Sequence, residues 1–566
     1  MTDLPLPGLP DEIHATKYRA KGETFREWSA RVASALKDND EHYRAFRDAL
    51  LNQRFLPAGR VQAAMGSPRQ VTPYNCFVSG TIPDSMAGIM DRLKEAAQTM
   101  RLGGGIGYDF STLRPSGDMI ASLDSTSSGP ISFMGIFDAL CKTIMSAGMR
   151  RGAMMGVLRV DHPDIENFIH AKQNTTELTG FNISVAITDD FMEAVVHDEM
   201  FDLKFDGRVY KKVNARLLWE EIMRSTWDWA EPGVLFIDRI NEMNNLWYCE
   251  TIAATNPCAE QPLPPYGACL LGSFDLTKYI GKDLGGFTFN WEQFKADIPV
   301  VVRAMDNVVD RAVYPLPEQE LEAKQKRRMG LGITGLANAG EALGFPYASG
   351  NFLRFMRDVL ETLRDGAYRT SIELAKEKGP FPKFDTLLLK SGFAETLPDD
   401  IREGIATHGL RNSHLLSIAP TGTISLAAGN ISSSIEPVFA HEFERDIIWE
   451  GGKRREKVYD YGVKVFDVRG RSAAELTANE HLDVLALAYH YVDSAVSKTC
   501  NVSPSMPWDD FKNIYLEAWR RGCKGCTTFN PGGKRMGILN APSAEPAGEQ
   551  GSACYIDPDT GRKTCE

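Results

Sequence analysis

The feature that most constrains the fold of this chain is a long alternation of two kinds of segment. Between about residues 60 and 535, short β-branched or apolar runs alternate with longer amphipathic stretches. NISVAIT, from residue 182, is typical of a buried strand, whereas ISFMGIFDALCKTIM, from residue 131, has helical spacing. This alternation predicts a large α/β sheet or barrel.

The two ends of the chain differ from this central region. Residues 23–55 carry apolar positions at helical spacing and predict a short helical lead-in. Residues 541–553, APSAEPAGEQGSA, are small and polar, and predict a flexible linker that leads to Cys554 and Cys565. We therefore divide the chain into a helical N-terminal region (1–60), a catalytic α/β region (61–535) and a tail (536–566).

Composition excludes several classes of protein. The net charge of −12 argues against nucleic acid as a partner, because such binding requires clustered Lys and Arg. We find neither an apolar run long enough to span a membrane nor a secretory signal, so we expect a cytoplasmic enzyme. The ten cysteines are then more typical of catalytic or metal-binding thiols than of structural disulfides.

Two familiar motifs carry little weight. GLGITG, residues 330–335, matches a dinucleotide fingerprint, but EAKQKRRM precedes it where a buried strand is required, so we favour a turn and close packing. Cys523 and Cys526 could form a four-thiolate zinc site with Cys554 and Cys565. The last two are too far apart for the usual ligand spacing, so we predict no metal site.

The stretch TNPCAEQPLPPYGACLLGS, residues 255–273, places Cys258 between an amide and a carboxylate. A thiol in this setting suits chemistry in which sulfur exchanges hydrogen while a neighbouring carboxylate manages protons. Taken alone, a cysteine between Pro and Ala is more often a core residue. The rest of the chain must decide between the two.

The stretch resembles the active-site segment of ribonucleotide reductases, and the resemblance covers roughly residues 55–535. In that family an Asn-Pro-Cys-Gly-Glu finger loop lies inside a ten-stranded α/β barrel, which is the fold that we expect here. Further segments resemble the family in the same order: PYNCFVSGTIPDSM at 73, GGGIGYDFSTLRPSGD at 103, SGPISFMGIFD at 128, RRGAMMGVLRVDHPDIENFI at 150, FNISVAITDDFM at 181 and APTGTISLAAG at 419.

The resemblance implies a role for five residues. Cys258 would be the transient thiyl that removes the 3′-hydrogen of the ribose, and Glu260 would accept the 3′-hydroxyl proton. Asn256 would bind the substrate hydroxyls. Cys76 and Cys269 would supply two electrons and become a disulfide as the 2′-hydroxyl leaves as water.

The resemblance also implies substrate contacts. HLLSIAPTGTISLAAG, residues 414–429, reads as a strand, a tight loop and a short helix, whose outward amides and threonine hydroxyls suit an anion. Asn75 would contact the substrate. Ala259 stands where glycine is commoner, and we expect its methyl group to be tolerated if its φ is negative. The expected loop for the substrate phosphates is Pro420, Thr421, Gly422, Thr423, Ile424 and Ser425.

The radical source distinguishes the classes of the family. The sequence has no Tyr-Tyr pair, which the oxygen-dependent class uses to receive its radical, and no R-V-x-G-Y motif of the glycyl-radical class. RGCKGCTTFNPGGKRMGIL, residues 521–539, resembles the adenosylcobalamin-dependent class, class II. We expect adenosylcobalamin as cofactor; the alternatives are a separate metal-containing radical subunit or, outside the family, a nucleotide-binding regulator with a zinc-bound tail.

The remaining expectations concern partners and regulation. Cys554 and Cys565 resemble a shuttle that re-reduces the active-site disulfide, with thioredoxin or glutaredoxin as donor. Asp84 and Arg114 resemble contacts to a dNTP or ATP effector at a homodimer interface, and residues 172–182 resemble the loop that joins effector to substrate. The region before residue 55 is too short for the ATP-cone found in many relatives.

Overall fold

The protein is described as a computed structural model covering residues 8–120, 124–146, 150–174, 176–449, 452–534, 554–557 and 562–565. Helices cover both ends and the outside of the molecule in this part of the chain. They are α1 Leu9–Tyr18, α2 Phe25–Leu36, α3 Asp40–Leu51, α4 Gly59–Ala64, α5 Met86–Arg101, α6 Gly129–Thr143, α7 Ile165–His170, α8 Asp189–His197, α9 Ala215–Trp229, α10 Ile237–Glu242, α11 Trp291–Arg311, α12 Pro317–Lys326, α13 Leu336–Ala342, α14 Gly350–Lys378, α15 Gly392–Glu395, α16 Asp399–His408, α17 Gly422–Ala427, α18 Ala478–Tyr491 and α19 Trp508–Arg520.

The strands are short; eleven of them form two larger sheets, and the others form two-stranded pairs. They are β1 Phe55–Pro57, β2 Cys76–Val78, β3 Gly105–Asp109, β4 Met119–Ile120, β5 Ser125–Thr126, β6 Met145–Ser146, β7 Arg150–Arg151, β8 Met154–Arg159, β9 Phe181–Ile187, β10 Met200–Phe205, β11 Arg208–Asn214, β12 Gly233–Phe236, β13 Ala254–Thr255, β14 Pro262–Leu263, β15 Ala268–Cys269, β16 Leu271–Asp275, β17 Ile280–Asp283, β18 Gly286–Phe289, β19 Gly330–Thr334, β20 Glu442–Trp449, β21 Gly452–Tyr459, β22 Thr499–Asn501, β23 Gly525–Phe529, β24 Cys554–Asp557 and β25 Arg562–Cys565.

The larger sheet has eight strands in the order β15-β2-β3-β8-β9-β12-β23-β22. Its central strands, β2 to β12, run parallel, and β15 and β23 pair antiparallel at either side of them. β8 and β9 are buried along almost their whole length. Parallel strands that are covered on both faces are hydrophobic throughout, which is why the NISVAIT run predicted a strand correctly.

A second sheet has the order β1-β16-β19 and is joined to the first through the chain itself. One residue, Leu270, separates β15 from β16. Isolated parallel bridges continue the pairing from Leu331 to Leu416 and from Ile418 to Val496. The two sheets therefore form a connected α/β body, and this confirms the predicted α/β class.

The first two glycines of GLGITG, Gly330 and Gly332, lie within β19 and not in a loop after a strand. A Cβ at Gly332 would lie 2.3 Å from the carbonyl oxygen of Ser417, and one at Gly330 would lie 2.6 Å from the Ser417 Cβ. These glycines let two strands approach closely, so the dinucleotide interpretation is excluded and close packing is confirmed. The accompanying expectation of a turn holds at Gly335 alone, which follows β19 with φ of 72° at the start of α13.

The N-terminal lead-in is helical, but it contains two helices, α2 and α3, over the segment that sequence periodicity treated as one pattern. α2 begins at a capping box in which Thr24 and Glu27 exchange hydrogen bonds, and Asn39 caps α3.

No helix in the described part of the chain is both long and apolar enough to cross a bilayer.

Candidate active site

Cys258 lies at the tip of a short hairpin formed by β13 and β14. The turn, residues 256–261, is closed by Asn256, whose main-chain N–H donates to the Gln261 carbonyl at 3.0 Å. The Asn256 side-chain oxygen accepts a second bond, at 2.9 Å, from the Gln261 N–H. One residue thus closes the turn twice. We call residues 256–261 the Cys258 loop.

Ala259 has a backbone conformation that differs from our expectation. Its φ is 66°, in the left-handed region, and not negative. An L-residue in this region pays a cost of about 1–2 kcal/mol that glycine avoids. The Ala259 N–H donates to the Asn256 carbonyl at 3.0 Å, so the turn retains its hydrogen bond. The tolerance of the methyl group therefore comes with strain.

The Cys258 loop is held against the strands around it. The Asn182 side chain, on β9, donates to the Pro257 carbonyl at 3.0 Å. On the other side the Glu260 carbonyl accepts from the Ser417 hydroxyl at 2.8 Å and from the Ala495 N–H at 3.0 Å. A Cβ at Gly107 would lie 1.8 Å from the Thr255 carbonyl oxygen, so β3 needs glycine for the hairpin to fit.

Cys76 and Cys269 face each other across the antiparallel pair β2 and β15, where they are direct register partners. Directly opposed residues in such a pair have Cβ atoms about 4.5–5.5 Å apart, close to disulfide geometry. Both are buried. Burial, Glu260 and the neighbouring thiols raise the pKa of Cys269 well above its usual value, which keeps it a neutral thiol.

Glu260 is buried beside these thiols. Burial raises its pKa to about 7, although a hydrogen bond from Asn256 partly offsets that effect. Its Oε2 atom has no hydrogen-bond partner among the described residues. A buried carboxyl with a free acceptor and a pKa near neutrality is suited to proton transfer.

The predicted phosphate loop contains a bend followed by α17. Thr421 precedes the helix with φ of 55°, and the first amides of α17 have no partner within the helix. The Thr421 hydroxyl does not support the anion site as expected, because it points inward. It accepts from the Ser434 N–H at 2.7 Å and lies 2.9 Å from the Thr334 hydroxyl and 3.0 Å from the Ser425 hydroxyl.

Comparison with known proteins shows the family of the chain. A family model described as "Ribonucleotide reductase, barrel domain" matches residues 74–460 and 464–529, most of the chain. The chain belongs to the ribonucleotide reductase family.

Two similar reductases are named for their cofactor. The vitamin B12-dependent ribonucleoside-diphosphate reductase of Mycobacterium tuberculosis (strain CDC 1551 / Oshkosh) is 34% identical over 95% of this chain and 80% of its own length. The enzyme of that name from Thermoplasma acidophilum is 35% identical over 83% of this chain and 63% of its own. The ribonucleoside-diphosphate reductase large subunit of vaccinia virus is 28% identical over 66% of this chain and 54% of its own.

An open cavity of about 930 Å³ adjoins the Cys258 loop of this reductase and includes some open solvent. Its wall combines apolar side chains with the buried lysines Lys498 and Lys524. The Lys498 ammonium donates to Glu436 at 2.7 Å. Burial lowers the pKa of Lys524 to about 8. The wall also includes Asn182, Val234, Cys258, Leu485, Val496 and Cys526.

Sequence reasoning left the role of Cys523 and Cys526 open and did not single out Cys500. All three are buried, and Cys526 lines the cavity. A hydrogen bond from Cys526 lowers the pKa of Cys500. Within the described ranges no cluster of three or more His, Cys, Asp or Glu side chains could hold a metal. The zinc alternative also needs the side chains of Cys554 and Cys565, which lie outside those ranges. No local sequence pattern marks Cys500, because it is the pairing of β22 with β23 that brings it near Cys526.

The remaining predicted residues lie elsewhere in the reductase. Arg114 and Asp84 bind each other, with Nε and Oδ2 at 2.7 Å, and both are about one-third exposed. The main-chain carbonyl of Asn75 accepts a hydrogen bond from the Gly105 N–H. The Asn75 side-chain Oδ1 is buried and has no hydrogen-bond partner among the described residues. Within residues 172–182, Lys172 forms a buried ion pair with Glu231 at 2.7 Å.

The tail is described only in part. Cys554 and Cys565 are register partners in the antiparallel pair β24 and β25, so the wide sequence spacing between them is closed by a hairpin. The positions of their side chains lie outside what the structure describes, as does the predicted linker, residues 541–553.

Proposed function

We propose that the protein is a vitamin B12-dependent ribonucleotide reductase that converts ribonucleoside diphosphates to 2′-deoxyribonucleotides. The observation that carries the proposal is that Glu260, Cys258 and Cys76 all lie close enough to Cys269 to raise the pKa of its thiol, with Cys76 directly opposite it. The names of the mycobacterial and Thermoplasma relatives support the cofactor and the phosphate level. The radical-subunit alternative is less favoured, because its viral representative is less similar and covers less of the chain.

The cavity beside the Cys258 loop fits the cofactor that we propose. Adenosylcobalamin supplies a radical when bound, and a cavity with apolar and polar walls next to the thiol suits its adenosyl group. Val234, Leu485 and Val496 would pack against this group. Gly233 and Gly525 let the strands of the wall pack closely; a Cβ at Gly233 would lie 2.9 Å from the Ser184 hydroxyl, and one at Gly525 would lie 2.9 Å from the Val234 carbonyl oxygen.

In the proposed reaction, Cys258 as a thiyl removes the 3′-hydrogen of the ribose and returns it at the end of the cycle. Glu260, as carboxylate, takes the 3′-hydroxyl proton, and Asn256 binds the substrate hydroxyls. Cys76 and Cys269 together supply two protons and two electrons and join as a disulfide: one proton goes to the departing 2′-hydroxyl, which leaves as water, and the other, with the two electrons, becomes the hydrogen that replaces it on C2′.

The finer architecture is part of the proposal. We infer a ten-stranded barrel with the Cys258 loop as its central finger. Its support is the sequence of pairings from β2 through β23 and β22, on through residues 496 and 416–418, to β19, β16 and β15 and back to β2. The barrel would occupy residues 61–535, with a helical region before it and a redox tail after it.

Substrate, effector and partner contacts complete the proposal. Residues 420–425 would hold the phosphates through main-chain amides, with Asn75 nearby. Asp84 and Arg114 would contact a nucleotide effector at a homodimer interface. Cys554 and Cys565 would re-reduce the active-site disulfide and be re-reduced by thioredoxin or glutaredoxin; their pairing across β24 and β25 supports a dithiol.

One assay tests the function directly. Purified protein is incubated anaerobically with dithiothreitol and either cytidine diphosphate or triphosphate, with and without adenosylcobalamin. We expect deoxycytidine nucleotide only with the cofactor and more from the diphosphate, and none from the Cys258→Ser variant, because a hydroxyl hydrogen is far harder to abstract. Product without the cofactor, or from Cys258→Ser, would contradict the proposal.

A further inference from the structure

The Cys258 loop is held at two of its main-chain carbonyls by side chains from opposite sides. The Asn182 amide, on β9, donates to the carbonyl of Pro257, the residue before Cys258, at 3.0 Å. The Ser417 hydroxyl donates to the carbonyl of Glu260, two residues after Cys258, at 2.8 Å. Each contact is a single hydrogen bond, yet together they bracket the thiol.

The loop needs such support because its own geometry is strained. Ala259 is in the left-handed region with φ of 66°. The bonds that close the turn join Asn256 to Gln261 and to Ala259. They fix the shape of the turn, but they do not fix its orientation relative to the surrounding strands. Contacts from outside the turn therefore decide where the Cys258 thiol points.

The two side chains are suited to this task. Ser417 is fully buried, and its neighbour strand carries glycines at 330 and 332 that leave room for it. Asn182 is half-buried, and it lines the same cavity as Cys258. The Glu260 carbonyl keeps a second donor without Ser417, because the Ala495 N–H also donates to it at 3.0 Å.

We propose that Asn182 and Ser417 are positioning residues that fix the Cys258 thiol at the distance and angle required for hydrogen transfer. The inference rests on the proposed function. They act through the main chain of the loop, at the Pro257 and Glu260 carbonyls. A displacement of about 1 Å at a reacting atom can cost about a hundredfold in rate, so two modest bonds can matter greatly to turnover.

The test uses Asn182→Leu, which keeps the volume and removes the donor, and Ser417→Ala, which removes only the hydroxyl. We expect kcat for cytidine diphosphate reduction to fall about tenfold or more in each, while KM changes less than about twofold, because substrate contacts are retained. A matched control is Asn307→Ala: Asn307 is a buried amide on α11 that likewise donates to a main-chain carbonyl, that of Leu36. This control should retain kcat.

A second readout does not depend on turnover. Alkylation of the full-length apoprotein by iodoacetamide, followed by peptide mass spectrometry, reports the reactivity of Cys258, and the exposed Cys249 serves as an internal reference. We expect the ratio of Cys258 to Cys249 labelling to rise at least threefold in both variants at unchanged melting temperature. Unchanged ratios and unchanged kcat would overturn the inference, as would equal loss of kcat in Asn307→Ala.

The two proposals fail in distinguishable ways. If the wild-type protein reduces no nucleotide under any condition, the proposed function fails, and the positioning role in that reaction fails with it. If the wild type turns over and Asn182→Leu and Ser417→Ala turn over equally well, only the positioning role fails. A variant that loses kcat, keeps its melting temperature and alters Cys258 labelling supports the role.

Discussion

At the scale of single residues, Glu260 gives the clearest consequence, because burial raises its pKa to about 7. Its ordinary value of 4.5 applies in the unfolded chain, so the folded protein favours the neutral acid. The stability from this group is complete below pH 4.5 and is lost as the pH rises through about 7. Proton acceptance requires the opposite form, the carboxylate.

We therefore expect kcat to rise with pH along a limb whose midpoint is near 7. In Glu260→Gln this limb should disappear and kcat should fall by about a hundredfold or more, while nucleotide binding changes little. Steady-state rates between pH 5.5 and 8.5 measure both. A Gln variant with the wild-type rate and profile would remove Glu260 from the role of proton acceptor.

Ala259 allows a prediction about backbone strain. Ala259→Gly should stabilise the folded protein by about 0.5 kcal/mol, since the relief of the left-handed conformation exceeds the added chain entropy of glycine. Ala259→Val should destabilise it by about 2 kcal/mol, because a β-branched residue is a genuine outlier there. Urea unfolding of the two variants checks the order. Equal unfolding free energies for the two variants would show that the left-handed conformation of residue 259 costs no stability.

At the scale of elements, the fit between β3 and the hairpin of β13 and β14 depends on Gly107. Gly107→Ala would place a methyl group 1.8 Å from the Thr255 carbonyl, so a backbone must move. We expect a loss of about 3 kcal/mol in unfolding free energy and loss of turnover. Gly350→Ala, at the start of α14 with nothing within 4 Å, should leave both unchanged. If Gly107→Ala behaved like this control, the close approach would be refuted.

Sequence patterns predicted the α/β class and the NISVAIT strand, because those depend on periodicity. The roles around Cys258 came from the resemblance to the family and stay predictions. They did not predict that Thr421 turns its hydroxyl inward, since Thr334 and Ser434 come from distant segments. The φ of Ala259 was missed for a similar reason: tertiary contacts at Pro257 and Glu260 impose the turn. The cluster of Cys500 with Cys526 depends on strand order, which no short motif encodes.

At the scale of the whole molecule, the tail should separate two sources of electrons. Cys554→Ser combined with Cys565→Ser should abolish thioredoxin-driven turnover, because disulfide exchange needs a direct thiolate attack that only a reaching arm can deliver. Turnover with dithiothreitol should stay within about twofold of wild type if the small reductant enters the cavity directly. Comparing the two reductants over many cycles measures this. Equal loss with both reductants would contradict a pure shuttle.

The opposed pair Cys76 and Cys269 also has a mechanical meaning. These residues sit on neighbouring strands, β2 and β15, yet a long stretch of chain separates them, including the whole parallel part of the larger sheet. A covalent link there would restrict the unfolded chain and add up to about 5 kcal/mol of stability in the chain-entropy account. Without reductant, the enzyme would therefore accumulate in the disulfide form, which has the higher free energy of unfolding. Oxidised molecules would then persist longer than reduced ones, and they could be re-reduced when reductant returns.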